Sequence, residues 1–168
     1  MRKTLIVYHS RTGFTKRYAG WLAGTLECET ADFKDRESLP LEKYDQLIWC
    51  DFFHAGGLMS LKWLRKHLPG LQGKRIAVLA VGACPPGTQD VDAALERNLE
   101  GTGLPGFYVQ GGLDYGRMGL GDRLMMWCFR KMVKKKEGAD SETYQGVSRS
   151  FDAADPAALT PLIAWAGE

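Results

Sequence analysis

Short apolar runs alternate along the chain with segments whose apolar residues recur every three or four positions. Residues 4–8, 47–50 and 76–81 form runs without a charged residue, which is typical of strands buried on both faces of a sheet. Between the first two runs, Tyr18, Leu22 and Leu26 recur at the spacing of an amphipathic helix. These patterns predict strands at 4–8, 27–33, 47–50, 76–81 and 106–111, and helices at 15–26, 58–68, 88–99, 120–136 and 156–166.

This alternation of strands and helices predicts the class of fold. Strands that alternate with helices form a parallel α/β sheet covered by helices on both faces. No repeat and no linker rich in Pro, Gly or Ser divides residues 1–168, so we expect a single domain. In such sheets ligands bind beyond the carboxyl ends of the strands. The loops after the first, third and fourth strands are therefore the candidate sites.

Composition and charge agree with a globular protein and exclude several classes of function. With 45% hydrophobic and 25% charged residues, the chain is neither disordered nor of low complexity. Its 22 Lys and Arg against 20 Asp and Glu give a net charge of +2, too small for a general nucleic-acid-binding protein. The charge is uneven, however. Residues 117–136 hold seven cations against Asp122 alone, a formal charge of +6 that leaves −4 for the rest of the chain.

The cysteines and the apolar runs bear on metal binding and on location. Cys28, Cys50, Cys84 and Cys128 are widely spaced and form no C-x-x-C pair, so no metal site is expected. Polar residues follow the first apolar run at once, unlike in a signal peptide, and the uncharged stretch 124–129 is too short to span a membrane. We therefore expect a reduced, cytoplasmic protein.

The junction between the first strand and the first helix is rich in hydroxyl groups. Ser10, Thr12 and Thr15 surround Gly13, whose backbone can turn tightly and approach a ligand closely. Free N–H groups and the positive end of the helix dipole favour a phosphate at such a position. An ordinary N-cap by Ser10 or Thr12 would need only one of these hydroxyls. We interpret the junction as a phosphate site.

This junction resembles the phosphate loop of a known family. The pattern S-x-T-G-x-T after a buried strand is similar to the FMN-phosphate loop of flavodoxins. Residues 50–58 and 81–87 lie where flavodoxin-like proteins have their two loops against the isoalloxazine ring. The resemblance implies an α/β, flavodoxin-like, doubly wound sheet of five parallel strands in the order 2-1-3-4-5, in three α/β/α layers, with noncovalent FMN. It assigns cofactor contacts to Ser10, Arg11, Thr12, Gly13, Phe14, Thr15, Asp51, Phe52, Phe53, His54, Ala55, Gly56, Gly82, Ala83, Cys84, Pro85 and Pro86.

Several residues of the ring loops admit more than one role. Phe52 and Phe53 are candidate platforms for the ring, and either one could equally be packed in the core. His54 stands where the family leads us to expect an aromatic residue such as tyrosine, and it could stack on the flavin, donate to it or be solvated. Asp51 either faces the ring, where its charge would lower the reduction potential, or caps the following helix. Cys84 is either a reactive thiol or a small filler beside the flavin.

Residues 117–136, which we call the basic segment, and the residues before them resemble a second group of proteins. The run Gly111-Gly112-Leu113-Asp114-Tyr115, followed by a basic helix rich in Met and aromatic residues, is similar in arrangement to the bacterial flavodoxin-like protoporphyrinogen oxidases. These are FMN enzymes that pass electrons to menaquinone and associate with the membrane. The resemblance implies a basic amphipathic helical insertion at 117–136. Contacts with a membrane or a substrate are expected from Arg123, Trp127, Arg130, Lys131, Lys134 and Lys135.

Three interpretations of the basic segment stay open. Its cations could attract anionic lipid headgroups, at about 1 kcal/mol for each residue near the surface. They could equally attract the propionates of a porphyrin. The third interpretation is a helix that covers the core and whose lysines are simply solvated.

The favoured function is an FMN-dependent oxidoreductase of the protoporphyrinogen oxidase type that passes electrons to a quinone. No catalytic side chain is expected, because the flavin carries the chemistry while the protein positions it and tunes its potential. One alternative is a flavodoxin electron carrier for protein redox partners, although such carriers are typically acidic. Another is a flavodoxin-like interaction domain that has lost FMN. For the favoured function we expect a cytoplasmic protein with peripheral contact on the inner face of the membrane.

Overall fold

The computed structural model describes residues 2–168. Eight strands and six α-helices follow one another in this part of the chain, with short 3-10 turns between some of them. The first half contains β1 (Thr4–Tyr8), α1 (Phe14–Leu26), β2 (Glu29–Asp32), β3 (Gln46–His54), β4 (Gly57–Leu58) and α2 (Leu61–His67). The second half contains β5 (Arg75–Gly82), α3 (Gln89–Leu99), β6 (Gly106–Gln110), β7 (Gly112–Leu113), α4 (Leu120–Glu137), α5 (Glu142–Val147), β8 (Phe151–Asp152) and α6 (Thr160–Gly167).

Five of the strands pair in parallel in the order β2-β1-β3-β5-β6. β3 lies in the centre, and β1 lies between β2 and β3, with Ile6 opposite Thr30 of β2 on one side and opposite Ile48 of β3 on the other. β5 pairs with β3, and β6 forms the far edge. The predicted order 2-1-3-4-5 of a flavodoxin-like sheet is thereby confirmed. The short β4 pairs antiparallel with the end of β3.

Helices cover both faces of the sheet, because successive side chains of each strand point to opposite faces. Val7 of β1 belongs to a buried cluster on one face, together with Leu64 of α2. Ile6 belongs to the cluster on the other face, where Leu22 of α1 and Leu162 of α6 pack against the sheet. The result is the expected arrangement of three α/β/α layers, in which the central strands are buried on both sides.

The predicted elements are found, and the main differences lie at the ends of strands. β3 does not end at residue 50 but extends to His54, because its last residues pair with β5 and then with β4. Leu58, which the pattern placed at the start of a helix, lies in β4, and α2 begins at Leu61. Leu58 and Leu61 are both buried and are three residues apart, which is the spacing of a helix. The sequence pattern therefore placed Leu58 in the helix, although it lies in β4 and α2 begins only at Leu61.

The chain makes an excursion between β7 and β8, which we call the insertion (residues 114–150). β7 and β8 pair antiparallel, with Gly112 opposite Asp152 and Leu113 opposite Phe151. The insertion contains α4, which coincides with the predicted basic helix, and α5, which packs against it. Within residues 2–168, no helix combines the length and the apolar character that crossing a bilayer requires.

Candidate cofactor site

A pocket of about 250 Å³ opens at the carboxyl ends of the parallel strands, where ligands bind in sheets of this kind. We call its walls the first loop (residues 10–15), the second loop (51–57) and the third loop (82–86). Eleven of the predicted cofactor residues line it, namely Arg11, Thr12, Phe14, Thr15, Phe52, Phe53, His54, Ala55, Gly82, Ala83 and Cys84. The other predicted residues lie in the same loops but do not line the pocket, namely Ser10, Gly13, Asp51, Gly56, Pro85 and Pro86.

The first loop turns tightly and leaves backbone donors free. Gly13 has a φ of +100°, a conformation that favours glycine, and its N–H donates to Ser10 Oγ at 3.2 Å. Among residues 2–168 no side chain caps α1, so the N–H groups of its first turn are available to an anion. Thr15 lies in that turn, where it is buried and lines the pocket.

The second loop is a hairpin between β3 and β4. Ala55 and Gly56 have φ values of +49° and +81°, the left-handed pair that joins two antiparallel strands in a tight turn. Asn98 of α3 fixes this turn, because its Nδ2 donates to Gly56 O and its Oδ1 accepts from Leu58 N–H, both at 2.9 Å. Nothing in the helical pattern of α3 distinguishes Asn98, so sequence reasoning missed this residue.

The aromatic residues of the second loop face the pocket and contact the protein at the same time. The Phe52 ring lies 4.9 Å from the His9 ring, and the Arg11 guanidinium lies over it at 5.7 Å from its centroid. Phe53 packs against the core, with its ring 6.0 Å from that of Tyr108. The two roles considered for these phenylalanines are therefore compatible.

Asp51 lies behind the second loop, where its side chain is completely buried. Its carboxylate accepts hydrogen bonds from the backbone N–H groups of Ser60 at 2.6 Å and Phe52 at 2.9 Å, and His9 Nδ1 lies 3.2 Å away. Ser60 directly precedes α2, so Asp51 binds the residue at the start of this helix, whereas a cap would accept from an N–H group of its first turn. Asp51 holds the end of β3 against α2 and does not line the pocket.

Two side chains of β6 hold the third loop in place. The Tyr108 hydroxyl donates to Cys84 O at 2.7 Å, and Gln110 Nε2 donates to Ala83 O at 2.9 Å. Burial raises the pKa of the Tyr108 hydroxyl well above its usual value, so this donor keeps its proton. Glycine at position 82 leaves room for this side chain, because a Cβ there would lie 2.4 Å from the Tyr108 oxygen.

Helix α4 forms a fourth wall that sequence reasoning did not assign to the cofactor site. Asp122 in its first turn reaches the first loop, where Arg11 Nη1 donates to both carboxylate oxygens at 2.7 and 2.9 Å. His54 Nε2 of the second loop lies 3.2 Å from the same carboxylate. Asp122 is the one acid among the seven cations of residues 117–136. A single acid in a basic segment is the sequence signal that could have identified this residue. Apolar side chains complete this side of the pocket, namely Met125, Met126 and Phe129 of α4, Leu113 of β7, Met118 before α4 and Val147 of α5.

The six residues expected to contact a membrane or substrate divide into two groups. Arg123 and Arg130 donate to backbone carbonyls elsewhere in the insertion, at 2.9 and 3.4 Å, and so fasten α4 to its surroundings. Lys131 lies on the exposed side, with its Nζ 3.8 Å from the centroid of the Trp127 ring. Lys134 and Lys135 are exposed as well.

The residues of the pocket fit a flavin mononucleotide. A phosphate needs several donors, which the first loop offers as the hydroxyls of Thr12 and Thr15 and as free N–H groups of α1. A flavin ring needs apolar surfaces and backbone polar groups, which Phe52, Phe53 and the backbone of the third loop offer. The first loop would therefore hold the phosphate and the other two loops the ring.

The chain was also compared with known proteins. Similar solved structures include a flavoprotein in complex with FMN from Lactobacillus acidophilus, with 15% identity, a TM-score of 0.44 and coverage of 66% of this chain and 93% of that chain. Another is the Trp repressor binding protein from Bacillus subtilis, with 20% identity, a TM-score of 0.48 and coverage of 67% of this chain and 87% of that chain. A third is oxidised flavodoxin 2 from Bacillus cereus, with 22% identity, a TM-score of 0.45 and coverage of 64% of this chain and 84% of that chain. No curated protein matches the chain at a significant level. The family model described as a flavodoxin domain matches residues 5–140, and the chain therefore belongs to the flavodoxin family, with FMN as its cofactor.

Proposed function

We propose that the protein is an FMN-dependent oxidoreductase of the protoporphyrinogen oxidase type, which oxidises a porphyrinogen and passes the electrons to a quinone. One observation carries this proposal: apolar side chains of α4 line the same pocket as the three cofactor loops. Met125, Met126 and Phe129 of that helix lie opposite the loops that hold the cofactor. A carrier that only exchanges electrons with proteins has no need of such a wall.

The apolar wall suits a large, flat and partly apolar substrate. Methionine side chains are flexible and polarisable, so Met118, Met125 and Met126 can adapt to the shape of a ring system. The contact between Asp122 and Arg11 holds the start of α4 against the first loop. A substrate bound between α4 and the ring loops would be oriented beside the cofactor and shielded from water on one side.

The cations of α4 also support an anionic substrate. Lys131, Lys134 and Lys135 do not line the pocket but are exposed on the helix that forms its apolar wall, and they could pair with the carboxylates of a porphyrinogen that extends beyond the pocket. Bound FMN supplies a two-electron acceptor and donor. A pair of electrons and a pair of protons would leave the porphyrinogen in each cycle and reach the quinone, which becomes the quinol.

An anaerobic assay tests this activity directly. The FMN-loaded protein is mixed with protoporphyrinogen IX and a menaquinone analogue, and porphyrin fluorescence is followed with time. We expect porphyrin to form only when the protein and the quinone are both present. Loss of this quinone-dependent fluorescence would overturn the proposal, and reduction by a flavodoxin reductase without porphyrin formation would identify an electron carrier.

Two variants of the same helix separate pocket effects from general damage. Met125 lines the pocket, whereas Met132, which is 57% exposed, does not. A lysine at position 125 would put a charge into the apolar wall, so we expect Met125→Lys to lower porphyrin formation by at least about tenfold. Met132→Lys, the control, should retain the activity of the unmodified protein.

We further propose that the exposed side of α4 lies on the membrane surface from which the quinone comes. Leu120, Leu124, Trp127 and Met132 are 85%, 62%, 46% and 57% exposed. Cations lie beside them in the same helix, namely Arg123, Lys131, Lys134 and Lys135. Large apolar side chains among cations are typical of helices that lie in the headgroup region. The attraction to anionic lipid should add about 1 kcal/mol for each lysine near the surface.

Flotation with anionic liposomes at low and high salt tests the membrane contact. Low salt should favour binding, and replacing Lys131, Lys134 and Lys135 by Gln should abolish it. The matched control replaces three exposed lysines outside the insertion, namely Lys43, Lys62 and Lys66, and should leave binding intact. Binding that is absent at low salt, or equally lost in the control, would refute the contact.

A further inference from the structure

Arg117 of the insertion lies against the first loop. A turn fixes its backbone, because the Arg117 N–H donates to the carbonyl oxygen of Asp114 at 3.1 Å and lies 3.2 Å from its Oδ1. From this turn the side chain extends to the first loop, where Nη1 lies 3.4 Å from Thr12 O. A Cβ on Gly13 would lie 2.6 Å from the same nitrogen. The absence of a side chain at Gly13 therefore makes room for the guanidinium.

The other arginines around the first loop are already neutralised by carboxylates. Arg11 donates to both oxygens of Asp122, and Arg17 donates to both oxygens of Asp152. Within residues 2–168, in contrast, the Arg117 guanidinium meets a carboxylate only through its Nε, which lies 3.5 Å from Asp114 Oδ2. Its side chain is 69% exposed, so the Nη groups keep donors for a further anion. A guanidinium whose Nη groups still have N–H donors can bind two oxygens of a phosphate.

We propose that Arg117 is a ligand of the cofactor's phosphate and that it increases the preference of this chain for FMN over unphosphorylated riboflavin. The inference rests on the family cofactor and not on the proposed oxidoreductase activity. Hydroxyls and N–H groups of the first loop are neutral donors, whereas the FMN phosphate carries a negative charge. Arg117 adds a cation to these donors, and it comes from the insertion instead of the strand–helix junction.

Titrations of the apoprotein with FMN and with riboflavin test this role, with the quenching of flavin fluorescence as the readout. We expect Arg117→Gln to raise the Kd for FMN by about tenfold, the size of one charge-assisted hydrogen bond at a partly exposed site. The Kd of the variant for riboflavin should stay within about twofold of that of the unmodified protein, because riboflavin has no phosphate for Arg117 to bind. Salt should weaken FMN binding less in the variant than in the unmodified protein.

Two further variants complete the design. Arg2→Gln removes the same charge at the opposite end of the sheet, before β1, and should leave both affinities unchanged. Arg117→Lys keeps the charge without the planar fork and should restore part of the FMN affinity. A parallel loss of FMN and riboflavin binding in Arg117→Gln, or no loss of either, would overturn the proposal. Circular dichroism of each variant shows whether the fold is kept.

Discussion

The Asp122 carboxylate of α4 accepts two hydrogen bonds from Arg11 Nη1 of the first loop, at 2.7 and 2.9 Å. These residues are 111 positions apart in the chain, and their contact joins the insertion to the loop expected to hold the FMN phosphate. His54 of the second loop lies 3.2 Å from the same carboxylate. One side chain of the insertion thus contacts two of the three cofactor loops.

Removal of this carboxylate should make the pocket easier to open. In Asp122→Ala we expect FMN to dissociate about ten times faster, since α4 loses its contact with both loops. The free energy of unfolding should fall by less than about 1 kcal/mol, because Arg11 is partly exposed and water can solvate it. The recovery of flavin fluorescence after dilution measures the rate. Asp140→Ala, at an exposed acid just beyond α4, is the control, and equal rates in the two variants would contradict the prediction.

Asp51 should matter for stability rather than for the redox potential. In Asp51→Asn, an N–H₂ group would replace one of two buried acceptor oxygens and face a backbone donor of Ser60 or Phe52. We expect a loss of about 2–4 kcal/mol in the free energy of unfolding, measured by urea denaturation. The midpoint potential of bound FMN should stay unchanged, because Asp51 does not line the pocket. A clear shift in potential at unchanged stability would restore the electrostatic role.

The fit between Gly82 and Tyr108 should appear as coupling between two substitutions. Gly82→Ala would place a methyl group 2.4 Å from the Tyr108 oxygen, and we expect it to cost about 1–3 kcal/mol. Tyr108→Phe alone should cost about 1 kcal/mol through the lost bond to Cys84 O. The double variant should be more stable than the sum of these losses predicts, because removing the hydroxyl relieves part of the clash. If the losses in the free energy of unfolding of the two single variants simply add in the double variant, the methyl group of Gly82→Ala and the Tyr108 hydroxyl do not clash.

Asp152 should contribute to stability only while it is ionised. The hydrogen bonds from Arg17 lower the pKa of Asp152 below its usual value. The contribution is therefore fully present above the unfolded pKa of about 4 and is lost as the pH falls through the lower folded value. At pH 7, Asp152→Asn should cost about 0.5 kcal/mol, a small value because the pair is exposed.

Urea unfolding of the two proteins from neutral to acidic pH measures this effect. The difference between them should shrink below about pH 4 and vanish once the carboxyl is protonated in the folded state. A difference that stays constant across this range would mean that the charge of Asp152 is not involved.

The sequence was sufficient to predict the central sheet because burial decides it. Apolar runs such as Ile76–Val81 within β5 have almost no exposed surface, and this leaves a clear pattern along the chain. The two-residue strands β4, β7 and β8 leave no such pattern, since they are defined by their pairing partners. The extension of β3 to His54 escaped prediction for the same reason.

The three loops of the site were also predictable, whereas the residues that support them were not. Ser10, Thr12 and Thr15 follow one another in the chain, so their arrangement can be seen in the sequence. Asn98 and Tyr108 act on loops that lie 42 and 24 residues away, and neither belongs to a local motif. The approach of α4 to the pocket depends on how the insertion folds back, which no spacing along the chain indicates.

The pairing of β7 with β8 brings the insertion back to the point where it leaves the sheet. Ala153 N–H donates to Gly111 O at 2.8 Å, so the two ends of the excursion are joined by a backbone hydrogen bond. A closed loop of this kind changes neither the strand order nor the length of any strand, and the entropic cost of closing it grows only slowly with the number of residues it holds. The length and the sequence of the insertion could therefore change in evolution while the order of the parallel strands stays the same.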